Sequence, residues 1–219
     1  MALKIKVMKA TQRVNEVVMG SPLSGKTTYV NSQVDLPETL FISTDGNAHD
    51  GCQVAEADNW DDLMDAIKYG VSGGSKGSLT TIVLDLLDDA VAFAEQRAQK
   101  SLGMTGKADS RGAYGKFTLT VGELVKEQVL RPLLGSDKQV YIVMHSTENA
   151  EGVAVPCFGS YSRDATDILN WVKGRCGKVV RCENPMSGVY DVIVEAERIN
   201  RAEEPAKPPI KRASKKQAA

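Results

Sequence analysis

The chain has 219 residues, of which 42% are hydrophobic and 25% charged, with a formal net charge of −1. That balance excludes a disordered or fibrous chain and fits one sizeable α/β domain with a short tail. The near-zero charge also excludes a global attraction to nucleic acid or to an anionic membrane, so any such contact must come from local basic loops.

Taken in chain order, the start (Met1 to Val7) lacks the long apolar run of a signal peptide. No later stretch reaches the roughly 18 apolar residues of a membrane span. A soluble, cytoplasmic protein with no membrane partner is expected. Residues 15–19 form a short β-prone run that ends at Gly20, and a helix should begin after Lys26, Thr27 and Thr28. Thr39 to Ser43 reads as a buried strand running into the polar Thr44-Asp45-Gly46-Asn47. Trp60 to Tyr69 places Leu63, Met64 and Ile67 at helical spacing, and Gly70 to Thr80 is a Gly/Ser-rich loop.

Thr81 to Leu84 is apolar throughout and stops at Asp85; a helix is expected over Ala90 to Leu102. Gly103 to Lys116 reads as a polar loop. A helix follows over Val121 to Leu134, with Pro132 bending or ending its last turn before Gly135. Gln139 to Met144 is a further buried strand ending at His145, and residues 146–163 are a second polar connection. Asp164 to Lys173 should be a helix capped by Asp164. Val179 to Cys182 and Val189 to Val194 read as a C-terminal β-hairpin around Asn184 to Gly188. From about Arg201 the apolar periodicity is lost and a disordered basic tail is expected over 201–219, leaving residues 1–200 as the domain.

Alternating strands and helices predict a mostly parallel sheet flanked by helices on both faces. Ligands on such sheets bind at the carboxyl ends of the strands. Gly20, Asp45, Asp85 and His145 all fall at expected strand ends. The four cysteines contain no CxxC pair and there are only two histidines, which argues for free thiols rather than a zinc site.

The chemistry starts at Gly20-Ser21-Pro22-Leu23-Ser24-Gly25-Lys26-Thr27, followed by Thr28. In a G-x-x-x-x-G-K-T run the glycines let the backbone curl so that successive N–H groups face a phosphate, and the next helix turns its positive end to the same group. Lys26 would reach the β- and γ-phosphates of ATP, and Thr27 would place its hydroxyl on a magnesium ion. The ammonium is expected to face solvent without ligand, so that replacing Lys26 leaves the fold intact.

Asp85, a carboxylate at the end of an apolar strand, needs a cation or donors to face, and magnesium is its natural partner. Asp88 and Asp89 read as capping or solvating groups at the helix start. Leu86, not a glutamate, follows Asp85, so the base that activates water must come from another strand. Asp45 is the candidate. His145 is placed to read the γ-phosphate; a purely structural role is the alternative.

On these residues the chain resembles the RecA-like P-loop ATPases, and among them the compact phage-encoded single-strand annealing or recombinase-core proteins. The resemblance spans roughly residues 12–200 and rests on Gly20 to Thr28, Phe41 to Asn47, Thr81 to Asp85, Tyr114-Gly115 and Val143 to Glu148. It implies that Asp45 stands where those enzymes carry their water-activating acid and His145 where they carry a polar phosphate sensor. The acid here is Asp rather than Glu, and the glutamate that directly follows the histidine in the phage proteins stands at Glu148.

It further implies a homo-oligomer acting on single-stranded DNA, with a single-strand binding protein as a further partner. Two loops would grip DNA: 103–116 with Lys107, Arg111 and Lys116, and 146–163 with Tyr161 and Arg163. The tail's Lys207, Lys211, Arg212, Lys215 and Lys216 could tether nucleic acid or simply solubilise. Arg97, Arg131 and Arg163 are candidates for an arginine acting across a subunit interface. A small-molecule P-loop kinase is the alternative reading, although Arg111 alone is thin for a lid. A GTPase lacks support, since no Asn-Lys-x-Asp motif is present.

Overall fold

The structure is a computed structural model and describes residues 14–46, 51–75, 77–104, 114–152, 154–157, 162–183 and 191–197. The apolar runs form the strands expected of them: β1 (Glu16–Gly20), β2 (Thr39–Ser43), β4 (Thr81–Asp85) and β5 (Gln139–Glu148). Between β2 and β4 lie β3 (Gln53–Glu56), a short strand with no clear apolar signal, and α2 (Trp60–Ser72). Further on come β6 (Ala154–Pro156), β7 (Lys178–Glu183) and β8 (Asp191–Glu197). The sheet order is β3-β2-β4-β5-β1-β7-β8; β6 pairs antiparallel with the end of β5, β8 pairs antiparallel with β7, and the remaining pairings are parallel. The last two strands are the expected hairpin; its connection lies outside the described residues.

Side chains alternate across the sheet, so the inner strands feed two cores. Met19, Ile42, Leu84 and Met144 pack with α2, α3 (Leu87–Leu102) and α6 (Ser162–Lys173) on one face. Val18, Phe41, Val83 and Val143 pack with Val30 of α1 (Lys26–Gln33) on the other. A buried polar bridge anchors α1: the Tyr29 hydroxyl donates to Glu16 Oε2 at 3.1 Å and accepts from Lys178 Nζ at 2.9 Å. The helix that follows the glycine-rich turn is thereby tied to β1 and β7 at the end of the sheet opposite that turn.

Several boundaries differ from expectation for local physical reasons. α2 starts where Asn59 Oδ1 accepts from the amides of Asp61 and Asp62, and runs to Ser72 because Gly73 (φ 90°) supplies the left-handed C-cap. α3 begins three residues early, at Leu87, because Leu87 is itself a core residue. Helix α4 (Tyr114–Glu123) continues through a π-helical stretch (Leu124–Leu130) into α5 (Arg131–Leu134), so residues 114–116 are helical rather than loop. Pro132 stands just after the π-helical stretch, in the last turn of this run before Gly135. β5 runs past His145 to Glu148 and folds back against β6, which replaces part of the expected connection 146–163. α6 starts at Ser162, which puts Asp164 inside the helix rather than at its cap.

All four cysteines are free. Among the described residues no helix is long and apolar enough to cross a membrane. The tail over 201–219 lies outside the described residues.

Candidate functional site

β1 delivers the chain to Gly20 at the carboxyl edge of the sheet, and α1 departs at Lys26. Within the turn Leu23 (φ 62°) and Gly25 (φ 84°) are both left-handed, which curls the intervening amides toward one point. Leu23 holds this conformation with its side chain 87% exposed, an arrangement a β-carbon resists by about 1 kcal/mol and one found where function demands it. A Cβ added at Gly20 would collide with Ser24 Oγ and the Cys182 carbonyl. Because the Cys182 carbonyl belongs to β7 and cannot move cheaply, Gly20→Ala is expected to cost about 1–3 kcal/mol. A thermal melt should show the loss, and a titration with Mg-ATP should show weakened binding.

Lys26 departs from expectation. It is buried, and its ammonium donates to the carbonyls of Ser21 (2.7 Å) and Gly20 (3.2 Å) across the turn. Burial lowers its pKa, and the carboxylates of Asp85 and Asp88 oppose that lowering. The lysine is thus stored inside the phosphate loop, not extended into solvent.

Thr27, in the first turn of α1, donates its hydroxyl to Asp85 Oδ2 at 3.0 Å. The other carboxylate oxygen, Asp85 Oδ1, is buried and has no hydrogen-bond partner among the described residues. Asp85 is 2% exposed, and its pKa is raised to about 6, mainly by burial, with the nearby charges of Asp45 and Asp88 adding to the rise and Thr27 and Lys26 opposing it. A buried carboxylate oxygen without a donor is costly, and hard divalent cations take such oxygens together with hydroxyls. These residues therefore fit magnesium, with Thr27 and Asp85 as the side chains to hold it. Ser24 Oγ is likewise buried without a partner inside the loop. Thr28 is exposed one residue further along α1.

The sheet order sets the remaining candidates around this pair. β5 lies between β1 and β4, with His145 in register with Gly20 and Val143 with Asp85. His145 therefore sits at the centre of the site. Its ring is already engaged: Nδ1 lies 3.4 Å from Asp88 Oδ1, and its backbone N–H donates to Asp88 Oδ2 at 2.9 Å. Burial raises the Asp88 pKa while the contacts from His145 hold it down. Asp45 lies two residues past Ser43, which is in register with Asp85. It is exposed, accepts from Ser43 Oγ at 3.5 Å, and is close enough for its charge to act on Asp85.

Sequence reasoning missed Thr44 and misread the two aspartates of α3. The α3 N-cap is Leu86, without a side-chain cap, and the carboxylates of Asp88 and Asp89 reach across to neighbouring strand ends. With the helix start expected at Ala90, both aspartates stood before the helix, and nothing in the sequence marked them as bridges. A cleft of about 520 Å³ opens beside Gly20, Ser21 and Pro22, between the ends of β5 and β7. Arg181 lines it and bridges Glu148 (2.8 Å) and Glu183 (3.0 Å). Glu148 is thus held by an arginine of another strand, three residues beyond His145.

Of the basic residues expected on the two loops, Lys116 is exposed on the first turn of α4, whereas Lys107, Arg111, Tyr161 and the Arg163 side chain lie outside the described residues. Arg131 forms a two-pronged pair with Glu127, and Arg97 lies 3.8 Å from Asp61.

No curated protein matches this chain. The family model described as an AAA domain matches residues 13–155, well over half of the chain, from the strand before the glycine-rich turn to the β5–β6 pair. With a parallel sheet that carries a phosphate loop on β1 and an acidic residue at the end of β4, the chain belongs to the AAA domain family of nucleotide-binding P-loop ATPases.

Proposed function

We propose that this protein is a magnesium-dependent ATPase, forming ADP and phosphate, that acts on single-stranded DNA in recombination or replication as a homo-oligomer. The observation that carries the ATPase reading is the pairing of Thr27 Oγ1 with Asp85 Oδ2 beside the orphaned Oδ1. Magnesium bound there would neutralise charge on the β- and γ-phosphates. The chain's own residues divide the remaining work. The loop amides receive phosphate oxygens, and Lys26 exchanges its two carbonyl partners for phosphate. Asp45, exposed at the mouth, takes a proton from the attacking water, and His145, oriented by Asp88, reports on the γ-phosphate from the centre of the sheet.

DNA binding rests on the resemblance to phage annealing and recombinase-core proteins and on the basic residues in the sequence of segments 103–116 and 146–163. Exposed Lys116 supports it. Assembly into an oligomer is supported by β8, an outer strand whose Val192, Ile193 and Val194 are 44%, 38% and 48% exposed. Consecutive strand residues point to opposite faces, so this strand is apolar on both and suited to cover by another copy.

The test is phosphate release from ATP with and without single-stranded DNA, beside fluorescence anisotropy of a labelled oligonucleotide. DNA is expected to stimulate release, and log affinity to fall against log salt with a slope of about 0.7 per phosphate contacted. Absence of oligonucleotide binding at low salt would remove the DNA half of the reading. Transfer of phosphate to a small acceptor in place of free phosphate would make the chain a kinase.

A further inference from the structure

The first turn of α3 holds the two strand ends on either side of Asp85, and the contacts are specific. In the sheet, β4 lies between β2 and β5. From the helix that follows β4, Asp89 Oδ2 accepts the Thr44 hydroxyl at 2.8 Å, at the end of β2. Asp88 accepts the His145 backbone N–H and stands against its ring, near the end of β5. Thr44 is more than a surface contact. Its Oγ1 also accepts the Leu86 N–H at 2.8 Å, and its own N–H donates to the Asp85 carbonyl at 2.9 Å. A hydroxyl has one proton to give, and here that proton goes to Asp89 while a lone pair takes the amide next to Asp85. Neighbouring positions on a helix point about 100° apart, so adjacent aspartates can reach strands on opposite sides of β4. Leu86, at the N-cap, has no polar side chain to cap the helix.

We infer that Thr44 and Asp89 are positioning residues for hydrolysis: they fix the end of β2, and with it Asp45, against Asp85, while Asp88 does the same for His145. This rests on the ATPase reading above, with Asp45 as the base. Thr44 precedes Asp45 directly, so loosening Thr44 lets the neighbouring carboxylate shift. Nucleotide binding draws on the loop amides, Lys26, Thr27 and Asp85; Thr44 meets this set through its backbone N–H on the Asp85 carbonyl, a bond the side-chain substitutions leave in place. The brace should therefore act on the chemical step and not on affinity. A displacement near 1 Å of a base costs about 100-fold in rate.

The experiment compares Thr44→Val, Thr44→Ser and Asp89→Ala for kcat, for KM, for Mg-ADP affinity by calorimetry, and for melting temperature. Thr44→Val and Asp89→Ala are expected to lose about 10- to 100-fold in kcat, with Mg-ADP affinity within about twofold of wild type. Thr44→Ser keeps the hydroxyl and should stay within about threefold. The double variant should be no slower than the slower single one, because both changes break one link. Wild-type kcat in Thr44→Val and Asp89→Ala would overturn the inference, as would equal losses in Thr44→Ser and Thr44→Val that merely follow melting temperature.

Amide hydrogen exchange over residues 39–46 is measured on the same proteins. If wild type hydrolyses no ATP, the ATPase reading fails by itself and the exchange data judge the brace. Faster exchange there in Asp89→Ala supports it, and unchanged exchange overturns it.

Discussion

Lys26→Ala is expected to reduce ATP turnover by at least about 100- to 1000-fold, the loss that follows removal of a preorganised charge from a developing phosphate oxyanion. Its effect on the fold should be small, for a reason that differs from the one the sequence suggests. The ammonium is buried against the Gly20 and Ser21 carbonyls, so the substitution strips a donor from each. That loss is about 1 kcal/mol per hydrogen bond. It is offset by removal of a cation whose burial already lowers its pKa. The net change in melting temperature should stay within a few degrees, since 1 kcal/mol moves a chain of this size by about 2–4 °C. Phosphate release measured beside a thermal melt checks both halves. Turnover that persists in Lys26→Ala would remove the lysine from the reaction.

Asp85→Asn should abolish magnesium-dependent turnover and yet raise the stability of the metal-free protein at neutral pH. The carboxyl group titrates at about 6 in the folded chain, against an ordinary value of 3.8. Between those two values the folded state holds a proton that the unfolded state has released, so stability falls as pH rises through that interval. The stabilising contribution is fully present below pH 3.8 and is lost as pH passes 6. At pH 7.5 the ionised, buried Asp85 then costs roughly 3 kcal/mol, which asparagine avoids while still accepting from Thr27. In EDTA, Asp85→Asn should melt several degrees above wild type at pH 7.5, with the gap closing toward pH 4. Adding Mg-ATP should reverse the order, because ligand binding stabilises only the protein that can hold it. A gap that does not change with pH would mean that Asp85 is not the strained group.

The stability cost at Asp85 and the storage of Lys26 share one origin. The chain keeps a carboxylate and an ammonium at the edge of a packed sheet, each matched to a ligand of opposite sign. Sites of this kind are strained without their ligand, and the strain is released on binding.

Much of this was legible one residue at a time. The run Thr81 to Leu84 reads as a buried strand, because Ile82, Val83 and Leu84 in a row need cover on both faces. Gly20 to Thr27 carried its own spacing, and Asp85 its own anomaly as a charge ending an apolar run. Val179 to Cys182 and Val189 to Val194, on either side of Asn184 to Gly188, read as a hairpin, and the paired strands are Lys178–Glu183 and Asp191–Glu197. The failures also had reasons. β3 and β6 are short strands at the periphery of the sheet, held by pairing rather than by an apolar pattern, so nothing in Gln53 to Glu56 or Ala154 to Pro156 marks them. The helix from Tyr114 to Leu134 is legible only from Val121 on, since Gly115, Thr118 and Thr120 disguise its start.

By itself, then, the amino-acid order determined the longer elements, the phosphate loop and the acidic residue that ends an apolar strand at Asp85, because these depend on local spacing and on the cost of burying backbone and charge. Tertiary structure alone decided which strand ends became neighbours. Insertion of β5 between β1 and β4 brought His145 beside Gly20, and the adjacency of β2 to β4 brought Thr44 to Asp89 and Asp45 to Asp85. Register across a sheet is chosen by the whole set of interstrand bonds and packed faces, a collective quantity that no stretch of sequence carries alone.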